Sequence, residues 1–171
     1  MMRLVSSLCF LLALTDQALP QQTPDFSGTY TLGSLARSDS AGGANFREQT
    51  PGPKTTLNIS QNANSIEARF TFASGKTATL KYHLDDSESK NVDPDGSPTN
   101  DRVKLKGKSL VIRSTIKIVS GDLKGSEVHR AESWELSKDL RTLTIHEQFE
   151  IPGAHMVGDT MTSTYDLLEA P

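Results

Sequence analysis

Cysteine is all but missing: Cys9 is the only one in 171 residues, and it lies in an apolar stretch near the amino terminus. A mature chain lacking it can form no disulfide, offer no thiolate nucleophile and hold no metal through sulfur. Long hydrophobic runs are almost as scarce. The one at Leu4 to Leu14 follows Met1, Met2 and Arg3 and stops at Thr15, Asp16 and Gln17. At about half the roughly 20 residues that span a bilayer, it is too short for an anchor. It has the form of a secretory signal peptide over residues 1–20, with cleavage between 18 and 22. Leu8 stands before Cys9 where lipidation would require a small residue. A basic surplus is absent too: 18 Lys and Arg against 21 Asp and Glu give a formal charge of −3. Without a basic footprint, nucleic acid is a poor partner.

What remains, residues 21–171, is the size of one domain able to bury a sizeable core. The expected location is secreted or periplasmic, with no membrane span. A disulfide-free secreted domain points to a bacterial source, and Asn58 in "NIS" would accept a glycan only in a eukaryotic secretory path.

After the signal no apolar repeat holds helical spacing for three turns, whereas period-two alternation recurs between turn residues. Phe26, Gly28, Tyr30 and Leu32 alternate first, then residues 36–53 read as loop. "KTTLNIS" and "SIEARFTFA" follow, the latter with Ile66, Ala68, Phe70 and Phe72 on one side. "TATLKYHL" precedes an acidic loop from Asp85 to Asn100. "RVKLK" turns at "GKS" into "LVIRSTIKIV", and "GDTMTSTYDLL" closes the chain. About nine strands with short connections and no crossover helix make an antiparallel up-and-down meander. The expected fold is all-β, a lipocalin-like barrel of eight to nine strands, since closure removes unpaired edges. A two-sheet β-sandwich gives the same alternation and is the alternative. An outer-membrane barrel is disfavoured, because Lys104, Lys106, Arg113, Lys117, Glu135, His146 and Glu150 fall on the outward parity, where lipid would not accept them.

"PDFSGTYTL", "LDDSESKNVDPDGS", "LKGKSLVI" and above all "ESWELSKDLRTLTI" together resemble a group of uncharacterised secreted bacterial proteins with a lipocalin-like barrel domain. The resemblance spans most of the mature chain and implies the fold. It brings no catalytic residues. Family members usually have Asp-Gly at the turn of the Trp134 hairpin, whereas Asp139 is followed here by Leu140, which resists the positive φ that Gly would supply.

That hairpin carries the candidate site. With Lys138 to Arg141 as a four-residue loop, Leu136 faces Leu143, Trp134 faces Ile145, Glu132 faces Glu147 and Arg130 faces Phe149. Three charges then point into an apolar interior. Directly opposed Cβ atoms lie about 5 Å apart, so two carboxylates there repel by roughly 3 kcal/mol at an effective dielectric of 20. Arg130 could bridge them, or one Glu could keep its proton. Either device leaves a polar spot able to orient a ligand head group. Alternatively the charges lie near a wet barrel mouth, or a bulge turns them outward. Trp134, Tyr82 and Tyr165 share the inward parity with Tyr30 and could line the same space, although Trp134 more simply packs in the core.

Other patterns are weaker. "NVDPDGSPTNDR" begins like a calcium loop, with Asp93 and Asp95 as ligands, but its twelfth position is Arg102 and Pro94 interrupts it. His83, His129, His146 and His155 form no metal cluster, and no nucleophile triad or phosphate loop is present. No cofactor is implied. Three readings follow: a binding protein for a small apolar or amphipathic ligand, with Arg130, Glu132, Glu147, Trp134, Tyr82 and Tyr165 around it; a non-enzymatic structural or interaction module with a solid barrel; and a carboxylate acid/base enzyme, for which the sequence offers no activated water or nucleophile. An empty or a filled lumen separates the first two.

Overall fold

A computed structural model describes residues 23–38, 54–121, 123–152 and 156–169. The signal segment, residues 39–53 of the expected first loop and His155 lie outside the described residues. Ten strands run in chain order: β1 (Gly28–Ser38), β2 (Lys54–Gln61), β3 (Ser65–Phe72), β4 (Thr77–His83), β5 (Asp85–Val92), β6 (Pro98–Lys106), β7 (Ser109–Lys117), β8 (Glu127–Leu136), β9 (Thr142–Ile151) and β10 (Met156–Glu169). Hydrogen bonding joins them in one antiparallel sheet ordered β4-β3-β2-β1-β10-β9-β8-β7-β6-β5. One continuous sheet excludes the sandwich and makes a nearly closed up-and-down barrel.

The strand count is ten, because the expected acidic loop is itself a hairpin. Within β5, "DDSESKNV", Ser89 is the sole buried residue. A strand whose inward position is a serine shows no apolar alternation to reveal it. In β4 and β7 the alternation holds residue by residue: β4 is buried at Ala78, Leu80 and Tyr82, and β7 at Leu110, Ile112, Ser114 and Ile116.

The sheet's two ends, β4 and β5, meet without a backbone ladder. Side chains stitch them. Asn91 accepts from the Lys81 N–H and donates to the Lys81 carbonyl, both at 2.9 Å, so its amide replaces a missing peptide group. Ser89 Oγ accepts from the His83 N–H at 2.9 Å. These bonds satisfy edge groups that would otherwise remain open.

Two ends of the interior differ. A large core collects Trp134, Phe26, Phe70, Tyr30, Tyr82, Leu57, Ile66, Leu110, Leu143 and Ile145. At the opposite end, beside the β5–β6, β7–β8 and β9–β10 turns, a smaller cluster holds Ile116, Val128 and Ile151, with Ile118, Leu123 and Phe149 against it. That second end is the barrel mouth.

Candidate functional site

The register of β8 with β9 is Leu136 to Leu143, Trp134 to Ile145, Glu132 to Glu147 and Arg130 to Phe149. The expected pairing therefore holds, and no bulge interrupts it. Arg130, Glu132 and Glu147 are 7%, 2% and 3% exposed, so the outward arrangement is set aside. All three charges lie in a layer between the two apolar clusters.

The layer's wiring differs from the expected bridge. Glu147 is held by Lys54, whose Nζ donates to Oε1 at 2.7 Å while sitting 4.7 Å from the Phe70 ring centroid. Arg130 serves Glu132, with Nε 2.8 Å from Oε1. Its N–H is not aimed along that line, so the contact is an ion pair and not a linear hydrogen bond. Glu132 Oε2 instead accepts from Trp134 Nε1 at 2.9 Å. Arg130 also reaches Ser114 Oγ at 3.4 Å and lies 3.7 Å from Asp93 Oδ1. The two facing glutamates thus each have their own cation, which removes the repulsion that their pairing would otherwise cause.

The titrations follow from this arrangement. Burial opposes the charged form of Glu132, but Arg130, Lys54 and the Trp134 N–H outweigh it and hold the carboxyl below its usual range. Burial likewise works against charged Lys54 and Arg130, and the adjacent carboxylates more than reverse it, pushing both upward. Asp93 goes the other way: burial raises it despite the nearby Arg130. Burial, then the field of Glu132, lifts the Tyr82 hydroxyl well above its usual value. Glu132 is therefore accommodated as a carboxylate by its neighbours.

Trp134, Tyr82 and Tyr165 do converge below the layer. Phe26, Phe70 and Tyr82 present their edges to Trp134 at centroid distances of 6.4, 6.2 and 6.2 Å. Trp134 is 0% and Tyr82 and Tyr165 1% exposed. These side chains leave no water-sized void beside them, so the lumen at this level is packed solid. Among the described residues the layer is most open toward the second end, where the side chains of Lys54 and Asp93 keep 16% and 15% exposure against 1% for Glu132. A hollow of about 540 Å³ lies instead outside the barrel, bounded by outward residues including Arg102, Arg113, Ala131 and Gln148.

The two candidate calcium ligands each have other partners. Asp93 turns toward Arg130, whereas both carboxylate oxygens of Asp95 are taken by the Ser97 N–H at 2.9 Å and the Ser97 hydroxyl at 2.8 Å. Among the described residues no group of three or more His, Cys, Asp or Glu is placed to hold a metal. His129 contacts Glu127 and His146 contacts Thr162, each on the outer face.

Lys54, Asp93, Asp101 and Ser114 were missed as partners in the layer. Lys54 shares no inward parity with Leu57 and Ile59. It faces inward because the β2–β3 register shifts between Lys54 and Thr56, which sets Lys54 opposite Phe72. A bulge of this kind leaves no mark in the alternation. Asp101 and Ser114 do share the inward parity of Val103 and Ile112, a signal that could have found them.

No protein-family model matches the chain, and no curated protein does. Solved structures match it in fold. A protein described as the REP1-NXSQ fatty acid transporter superposes with a TM-score of 0.56 at 15% identity, over 85% of this chain and 98% of that one. Zebrafish ileal bile acid-binding protein in complex with cholic acid gives 0.55 at 14%, over 84% and 98%. Apo lipid binding protein 8 of Caenorhabditis elegans gives 0.55 at 13%, over 83% and 94%. The chain shares with these structures a ten-stranded, nearly closed up-and-down barrel, and at these identities the likeness extends to the fold alone.

Proposed function

We propose that this is a secreted or periplasmic binding protein that takes a small amphipathic molecule at the barrel mouth. The polar group of the ligand meets the Lys54, Asp93 and Arg130 end of the charge layer, and its apolar part lies against Ile118, Leu123 and Phe149, the partly exposed residues packed over Ile116, Val128 and Ile151. The observation that carries this reading is the layer itself. A charge layer is costly to bury, and it sits directly under an apolar rim, in a fold that other proteins use to hold fatty and bile acids. Because the aromatic core below is full, the ligand sits higher than the lumen centre, and Glu132, Trp134, Tyr82 and Tyr165 support the layer from beneath without touching the ligand.

A second reading has its own observation. The closed packing around Trp134 is what a solid barrel acting through its outer surface would need. Native mass spectrometry of the mature protein purified from its host's secreted fraction, with solvent extraction of any adduct, separates the two. The expected result is a stoichiometric lipid-sized adduct. A bare mass, together with Trp134 emission unmoved by any added amphiphile, would transfer the function to the surface.

A further inference from the structure

Resting on the mouth-binding reading, the charge inventory of the layer narrows the ligand class. Its cations are Lys54 and Arg130, and both are committed: Lys54 to Glu147 at 2.7 Å, Arg130 to Glu132 at 2.8 Å with Asp93 at 3.7 Å. Its carboxylates are Glu132, Glu147, Asp93 and Asp101. Asp101 is wholly buried and has no cation among the described residues. Its Oδ2 accepts from Asn91 and from Thr99 at 2.7 and 2.9 Å, while Oδ1 has no partner. The Tyr82 hydroxyl is also buried and unpartnered. Two cations thus face four carboxylates: Arg130 Nε makes no linear hydrogen bond but is held against Glu132 at 2.8 Å, whereas Asp101 Oδ1 is left with no partner.

We infer that the barrel selects an amphiphile whose polar group is a positively charged amine, and discriminates against carboxylates such as fatty acids. An arriving carboxylate would be a fifth acidic group in a site whose two cations already face carboxylates, in a medium that screens little. An ammonium brings the missing charge together with N–H donors suited to Asp93 at the mouth and, through it, to the acidic side of the layer formed by β5 and β6. The ligand preference thus departs from that of the fatty-acid carriers sharing the fold.

The test uses three probes of one chain length, each below its micelle concentration at pH 7: dodecylammonium, dodecanol and laurate. Binding is read by Trp134 emission and by the shift of the thermal unfolding midpoint. Dodecylammonium is expected to bind at least about tenfold tighter than dodecanol, and laurate weakest. Asp93→Asn should bring dodecylammonium to within about threefold of dodecanol when both are measured on that variant, and an undiminished preference for the amine would overturn the inference. Laurate or dodecanol binding as tightly as the amine would overturn the inference and leave the mouth-binding reading standing. Failure of all three to bind would overturn both.

Discussion

Lys54→Met is the most informative perturbation of this barrel. It keeps length and apolar stem but removes the one cation on Glu147, whose Oε1 lies 2.7 Å from Lys54 Nζ. Glu147 is then a buried carboxylate directly across the ladder from Glu132. With side chains about 5 Å apart and an effective dielectric of 20, their repulsion is roughly 3 kcal/mol. Breaking a buried ion pair from one side commonly costs about 3–5 kcal/mol. Against a total stability of about 5–15 kcal/mol, such a loss leaves the fold marginal.

Urea unfolding at pH 7, followed by the emission of the single tryptophan, measures this in a cycle of Lys54→Met, Glu147→Gln and the double variant. Glu147→Gln removes the carboxylate that Lys54 compensates. The double variant is therefore expected to be about 2 kcal/mol or more stabler than the sum of the single losses predicts. The loss of Lys54 from the Phe70 face is common to both Met variants and cancels. A second cycle on Arg130→Met and Glu132→Gln should couple as strongly, whereas Arg130 with Glu147 should couple by less than about 1 kcal/mol. Additivity of Lys54 and Glu147 to within about 0.5 kcal/mol would refute the assigned wiring, as would strong coupling of Arg130 to Glu147.

Asn91→Ala deletes two bonds to the Lys81 backbone and one to Asp101; at about 1 kcal/mol each the expected loss is about 3 kcal/mol, and hydrogen exchange should quicken first at the Lys81 amide along the β4–β5 seam. Leu140, at φ 60° and 58% exposed, occupies a left-handed position with nothing to gain from its side chain. Leu140→Gly should therefore stabilise by about 1 kcal/mol, raising the unfolding midpoint by about 2–4 °C, and an unchanged or lowered midpoint would contradict it. Glu132 has a folded pKa below its unfolded value. Its contribution is thus present above the unfolded value of about 4.3 and is lost as pH falls through the folded one. An acid titration of stability should be shallower in Glu132→Gln than in the parent below pH 4.5, even though the variant is weaker at pH 7. Equal slopes would remove Glu132 from that role.

The hairpin from Arg130 to Phe149 was legible in the sequence because its apolar pairs, Leu136 with Leu143 and Trp134 with Ile145, admit one register that buries both, and that register carries the charges inward with them. The strand count was less so: β5 offers its polar Ser89 to the interior and its acids to water, which resembles a loop. Lys54 could not have been placed without the shift that turns it inward. Nor could Asn91, whose role as a surrogate peptide between β4 and β5 depends on which two strands the closing sheet brings together. Pairing within a hairpin is a local matter of alternation, whereas bulges and closure are settled by the whole sheet.

The same features constrain what such a barrel can bind. Filling the lower lumen with Trp134, Tyr82, Phe70 and Phe26 gives up space for a long chain in exchange for a rigid floor. The Trp134 N–H then holds Glu132 for Arg130, so the charge layer is fixed from below before any ligand arrives. A preformed layer with its cations already paired cannot attract an anion by rearranging, because moving Lys54 or Arg130 toward a new partner would strand Glu147 or Glu132 in a dry interior. Asp93 alone is both half-buried and held by a long 3.7 Å contact. It is the one member that can change partner cheaply, and for the proposed binding role this makes the β5–β6 turn the expected point of entry.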